Sequence, residues 1–178
     1  MDTSLDLHVD IQTACAEPVP DEDDIRRWIA AALASAALPS AAGSNTAEVE
    51  LSLRLVSETE MTTLNQQYRG KSGPTNVLSF PADLPAGVDH PLLGDIVICP
   101  AVVIREAAQQ GKTESQHWAH MLVHGSLHLL GYDHIDCNEA EVMEALETDI
   151  LQSLGCPSPY ESAPNTSHNG VTGAEVRT

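Results

Sequence analysis

Apolar residues follow three rhythms along this chain, and the changes of rhythm mark its elements. Leu5, Leu7, Val9 and Ile11 alternate with polar residues, and so do Val49, Leu51, Leu53 and Leu55. Successive side chains of a strand point to opposite faces, so each run predicts a half-buried β-strand. Two shorter, nearly continuous apolar runs, residues 77–80 ended by Pro81 and residues 94–99, predict two more. Between the strands the period changes to that of a helix. The acidic quartet at 21–24 opens a helix reaching about Ala37, with Ile25, Trp28, Ile29 and Leu33 on one face. Ser57 with Glu60 three residues on is a capping-box pattern and predicts a short helix over 58–67. Residues 39–46 and 82–91, rich in Pro, Gly and small polar side chains, read as loops.

Beyond Pro100 everything is helical in pattern. One helix spans about 101–110 and stops at Gly111. The next begins near Thr113 and carries His117, His120, His124 and His128 on one broad face. The last covers roughly 138–154, with Gly155 and Pro157 as stop signals. Strands early and helices late predict an α+β fold, with helices covering a four-stranded mixed sheet in one domain, residues 1–156. Residues 157–178 are poor in core-forming side chains and are expected to be a disordered tail.

Composition narrows the class. A chain of 178 residues suits one domain with a sizeable core. Its four cysteines, Cys15, Cys99, Cys137 and Cys156, are scattered, which disfavours a disulfide framework and fits a reducing compartment. No apolar run approaches the roughly 20 residues that span a bilayer, and the first ten residues lack the basic region of a signal peptide. A soluble cytoplasmic protein is the expectation. The net charge of −18 argues against a nucleic-acid partner if taken as a sum. The acids crowd at 21–24 and 136–149, most simply as solvated faces and first turns of helices. Only eight residues are Lys or Arg, and two of them, Arg69 and Lys71, stand together, which leaves room for a local positive site.

The candidate chemistry lies in eleven residues, His124-Gly125-Ser126-Leu127-His128-Leu129-Leu130-Gly131-Tyr132-Asp133-His134. Residues four apart share a helix face, so His124 and His128 can aim two imidazoles at one point. Gly131 suits the left-handed turn that ends a helix, and the chain can then return with His134. Three imidazoles and an open position describe a catalytic zinc site, one Zn2+ per chain, better than a structural one. Copper, nickel and iron also accept imidazole. The spacing matches the protease pattern H-E-x-x-H-x-x-G-x-x-H, except that Gly125 stands where the glutamate base belongs. Ordinary proteolysis is therefore disfavoured. His120, one turn before His124, competes for a ligand role, and otherwise contacts substrate, supports a ligand or simply packs. Asp133 either orients a ligand imidazole or shapes the turn.

These blocks resemble the YbeY family of bacterial metal-dependent endoribonucleases. The likeness rests on Asn65-Gln66-Gln67-Tyr68-Arg69-Gly70-Lys71, on Pro74-Thr75-Asn76-Val77-Leu78-Ser79-Phe80-Pro81, on Leu93-Gly94-Asp95-Ile96-Val97-Ile98, and above all on the His124 to His134 motif. It implies an αβα sandwich with a four-stranded, mostly parallel mixed sheet, and a zinc ion held by His124, His128 and His134. It also implies a single-strand-specific endoribonuclease that acts in 16S rRNA 3′-end maturation and 70S ribosome quality control. The expected partners are RNA (rRNA precursors and the small ribosomal subunit) and ribosomal proteins or a ribosome-associated GTPase, with neither DNA nor membrane. The family's functional arginine falls on Arg69, whose planar guanidinium suits stabilisation of charge building on phosphorus. One departure is Asn76, where the family block usually has aspartate; the charge is lost, and a turn-shaping role survives. The competing reading is a non-catalytic assembly factor that uses zinc to hold its fold. A metal-dependent hydrolase of another substrate follows from the protease-like spacing and is weakened by Gly125.

Overall fold

The structure is a computed structural model, and it describes residues 4–34, 46–82, 92–132 and 137–156. The end expected for the first helix, most of the two long loops, Asp133, His134 and the tail after 156 lie outside the described residues. Four strands, β1 (Ser4–Ala14), β2 (Thr46–Val56), β3 (Val77–Pro81) and β4 (Leu92–Ile98), form one sheet in the order β1-β2-β4-β3. β1 and β2 are parallel, as are β2 and β4; β3 runs antiparallel to β4 and forms an edge. Among the described residues, five helices flank the sheet: α1 (Glu22–Ala34), α2 (Glu58–Arg69), α3 (Pro100–Gln110), α4 (Glu114–Leu129) and α5 (Cys137–Ser153). This is the expected α+β mixed sheet with mostly parallel strands.

The alternation of β2 divides the core in two. Leu51, Leu53 and Leu55 point to one face, where they meet Ile25, Ile29 and Leu33 of α1 and Leu122 and Leu127 of α4. Met143, Ile150 and Leu151 bring α5 against the same cluster. On the other face Met61 of α2 and Val102 of α3 pack on Val56, Leu78 and Val97. The edge strand β3 serves both: Val77 belongs to the first cluster, and Leu78 and Phe80 face the second.

One local expectation changed in detail. Ser57 caps α2 by accepting from the Glu60 backbone N–H at 3.2 Å. The reciprocal half of that box is not made, because the Glu60 carboxylate takes the Arg54 guanidinium at 2.8 and 3.2 Å. A charge-assisted, two-point pair outcompetes a neutral cap. The complete capping box belongs instead to α4, between Thr113 and Gln116.

Helix α4 lies close to the sheet through two glycines. At Gly125 an added Cβ would stand 3.2 Å from Ile96 Cγ2 and 3.3 Å from Ser79 Oγ. Gly94 answers from β4, beside a register shift in which Glu50 pairs with Leu92 and Leu51 with Gly94. Its φ of +147° is open to glycine and costly for other residues. A Cβ there would collide with the Phe80 carbonyl oxygen, the Leu129 side chain at 2.8 Å and Pro81 Cα at 2.9 Å. Gly94 thus admits the histidine-bearing end of α4. Gly94→Ala is expected to destabilise the fold by about 2–4 kcal/mol, combining overpacking with backbone strain. Gly111→Ala, at a similarly positive φ in open space, is expected to cost only about 1 kcal/mol. Urea unfolding of the two variants measures the difference.

Candidate metal and catalytic site

Helix α4 is buried along most of its length although it carries four histidines. Their rings follow one another along one face, with centroids 6.0 Å apart for His117 and His120, 6.2 Å for His120 and His124, and 4.5 Å for His124 and His128. Buried imidazoles need partners, and neighbouring helices supply carboxylates. Glu147 of α5, fully buried, lies 2.5 Å by Oε2 from His124 Nδ1 and 3.3 Å by Oε1 from His120 Nε2. Glu106 of α3 lies 2.8 Å from His117 Nε2.

Ionisation follows from these contacts. Burial alone would raise the Glu147 carboxyl, but its electrostatic attraction to the His124 ring and hydrogen bonds from His120 and His124 outweigh it and hold the group well below the usual carboxylate range. Burial pushes His120 down to about 4 against the pull of Glu147, so its imidazole is neutral near pH 7. An ionised carboxylate accepts only, so His124 donates from Nδ1 to Glu147. Its Nε2 then carries a lone pair of the kind a metal ion takes. That Nε2 lies 3.1 Å from His128 Nε2.

Of the residues expected to form the site, the fold therefore brings His124 and His128 together. Gly131 takes φ +105° and Tyr132 N–H reaches back to the Leu127 carbonyl at 3.1 Å, so the helix ends where expected. His134 lies outside the described residues. Arg69 is the last residue of α2, half-buried, on a helix of the opposite sheet face from α4. Among the described residues, His120, His124 and Glu147 also form a group that could hold a metal ion, their ligand atoms within 4.8 Å of one another. Groups of the kind that ligate metals thus stand on either side of the His124 ring.

Glu147 is the residue that sequence reasoning missed. It falls in the acidic stretch 136–149 taken as solvated, yet it is fully buried. A signal was present: Met143, Glu147, Ile150 and Leu151 stand at i, i+4, i+7 and i+8, so the carboxylate occupies a core position of an apolar stripe. Asn76 also gains a reason. It is buried, its Oδ1 accepts from Val77 N–H at 2.6 Å, and its Nδ2 donates to Glu106 at 3.0 Å. An aspartate could shape the same turn but could not donate to Glu106 without a proton. Glu106 itself is held below its usual range, because hydrogen bonds from His117 and Asn76 outweigh its burial.

Comparison with known proteins identifies the family. The sequence profile of the family described as Endoribonuclease YbeY matches residues 10–155. The chain belongs to the YbeY family. An Endoribonuclease YbeY of Pseudomonas syringae pv. tomato is 52% identical over 163 residues, covering 91% of this chain and 93% of the relative. One from Pseudomonas fluorescens is 53% identical over 155 residues, covering 86% and 96%. A solution structure of a Thermotoga maritima protein aligns with 89% of this chain and 99% of its own, at a TM-score of 0.47 and 24% identity. No helix among the described residues of this YbeY-family chain is long and apolar enough to cross a membrane.

Two expectations concern the residues around the histidines. Gly125→Glu would drive a carboxylate toward Ile96 and Ser79, costing about 3 kcal/mol or more. It is expected to lower the melting temperature and to yield no casein hydrolysis, because the new side chain enters the sheet interface. Casein turnover by a folded Gly125→Glu protein would show the opposite. Asn76→Asp would set a second carboxyl against Glu106, so one of the two must hold a proton and its folded pKa must rise. A raised carboxyl pKa means stability lost as pH climbs above the carboxylate range. Asn76→Asp should therefore be less stable than wild type by about 1–2 kcal/mol at pH 7, with the gap closing toward pH 5. Equal urea midpoints at pH 7 would contradict this.

Proposed function

We propose that this chain is a zinc-dependent, single-strand-specific endoribonuclease of the cytoplasm. Its proposed substrates are rRNA precursors, in 16S rRNA 3′-end maturation and 70S ribosome quality control. The observation that carries the metal-dependent part is the 3.1 Å approach of His124 Nε2 to His128 Nε2, with Glu147 holding the far side of the His124 ring. Two nitrogens bound to one zinc at about 2.0–2.1 Å in tetrahedral geometry stand roughly 3.3 Å apart. The pair therefore fits zinc with little movement. His134 is the proposed third ligand. The carboxylate–histidine arrangement fixes the His124 tautomer and raises its basicity, the usual work of the partner behind a metal-bound histidine. A divalent ion held there supplies an acidified water and polarises a phosphoryl oxygen. The two relatives named Endoribonuclease YbeY support RNA as the substrate.

Arg69 is proposed to clamp the scissile phosphate, its fork of donors matching the charge that develops on the non-bridging oxygens. The competing reading, an assembly factor that holds zinc only for its fold, predicts metal binding without turnover. A coordination set of His120, His124 and Glu147 is the alternative for the ion itself. It requires both imidazole N–H groups that now donate to Glu147 to give up their protons.

Purified protein is expected to carry about one zinc per chain. His124→Ala, His128→Ala and His134→Ala should each abolish it, since losing one of three ligands removes most of the affinity. His120→Ala should retain zinc; its loss there, with retention in His128→Ala, would transfer the site to the Glu147 side. Arg69→Glu should keep zinc content and melting temperature near wild type while cleavage of a single-stranded rRNA fragment falls at least about a hundredfold. Arg69→Lys should be intermediate. Metal-loaded wild type that leaves RNA intact, like an EDTA-treated control, would favour the assembly factor.

A further inference from the structure

Tyr68 stands apart from the other large side chains. It is 60% exposed, whereas Trp28 and Trp118 are core residues, and the whole chain has only two Trp, three Tyr and one Phe. The apolar stripe of α2 runs through Met61 and Leu64 into the core, and Tyr68 continues it one turn beyond the covered part. Phe80 of the edge strand supports the ring from one side, edge to face, with centroids 5.0 Å apart and planes at 68°. Ser79, next along that strand, donates to the Gly125 carbonyl of α4 at 3.1 Å. One short edge strand therefore joins the aromatic pair to the helix that carries His124 and His128.

Charge singles out the same place. Arg26, Arg27, Arg54 and Arg105 each pair with a carboxylate, and the half-buried Lys112 lies within the influence of Glu106 and Glu147. Arg69 and Lys71 flank Tyr68 within three residues, and Lys71 is exposed. Their placement is fixed: Gly70 takes the left-handed turn with its N–H on the Gln66 carbonyl, and Asn65 Nδ2 donates to the Gly73 carbonyl at 2.8 Å. In a protein of net charge −18 a polyanion is repelled over most of the surface, and this turn offers the exposed ammonium of Lys71.

We propose that Tyr68, backed by Phe80, is a stacking platform for one unpaired base of the RNA strand, with Lys71 drawing the neighbouring phosphate. The inference rests on the ribonuclease reading and adds what selects single strands. A base inside a duplex is already stacked on both faces and cannot reach the phenol ring, whereas an unpaired base can, whatever its identity. Tyr68 is here a binding residue, not a participant in bond cleavage.

The test uses the full-length, zinc-loaded protein and a single-stranded oligoribonucleotide carrying 2-aminopurine, whose fluorescence is quenched on stacking. Tyr68→Ala should raise Kd and KM about 5- to 100-fold, as loss of one base–aromatic stack does. The quench should disappear, with kcat within about twofold and zinc content unchanged. Tyr68→Phe and Tyr68→Trp should restore affinity and quench. Tyr68→Leu, which keeps an apolar contact with Phe80 but has no π-face, should behave as Tyr68→Ala; it decides the matter if the alanine variant folds poorly. Weak binding of the matched duplex should be the same in all variants. Wild-type cleavage with an unchanged KM and quench in Tyr68→Leu would overturn the platform and leave the ribonuclease reading standing. Wild type that neither binds nor cleaves the oligonucleotide would overturn both.

Discussion

A carboxylate removed from water cannot stand alone, and Glu147 is such a group. The cost of burying an unpaired charge is several kcal/mol, so everything near Glu147 is arranged to meet it. Helix α5 must dock with that residue facing α4. His124 must turn Nδ1 toward Oε2, and His120 must turn Nε2 toward Oε1. Those orientations leave the His124 Nε2 lone pair aimed at His128. One interaction thus couples helix docking to ring tautomer. It also explains how a helix with four histidines can lie in the core, since a second carboxylate, Glu106, meets His117. Asn76 then satisfies Glu106 from the sheet side.

The second constraint is distance. An α-helix packed on a sheet usually stands off by the thickness of its side chains, with axis and sheet roughly 10 Å apart. Here Gly125 brings the α4 backbone near enough for Ser79 to bond its carbonyl, and Gly94 makes room for Leu129. The position that carries a catalytic glutamate in the protease pattern is therefore a packing position in this fold. The histidines keep the spacing of the protease pattern, but the residue after the first of them faces the sheet.

Electrostatics sets the third limit. An acidic protein with a polyanionic substrate must confine its positive charge, and most described cations are spent on intramolecular pairs. Surface pairs of this kind add little stability; their larger consequence is to occupy cations elsewhere, while Lys71 stands exposed just beyond α2. The aromatic pair Tyr68 and Phe80 lies at that end, so apolar contact and charge are offered together.

Much of this was written locally. Period-two alternation in β1 and β2, the stop at Gly111, the left-handed turn at Gly131 and the i, i+4 pairing of His124 with His128 follow from backbone geometry, which acts over a few residues. The family followed from four short blocks in order. What the sequence by itself could not decide was where the acids go. Glu147 read as one more solvated charge of the stretch 136–149, nothing in the pattern marked Glu106, and Glu60 read as half of a capping box. Each role was set by a partner far along the chain: His124 for Glu147, Asn76 and His117 for Glu106, and Arg54 on β2 for Glu60. Hydrophobic period and turn chemistry are local, so sequence determined the elements. A charge takes its meaning from what faces it across a packed interface, so only the tertiary structure decided which carboxylates are solvent-facing and which hold the site.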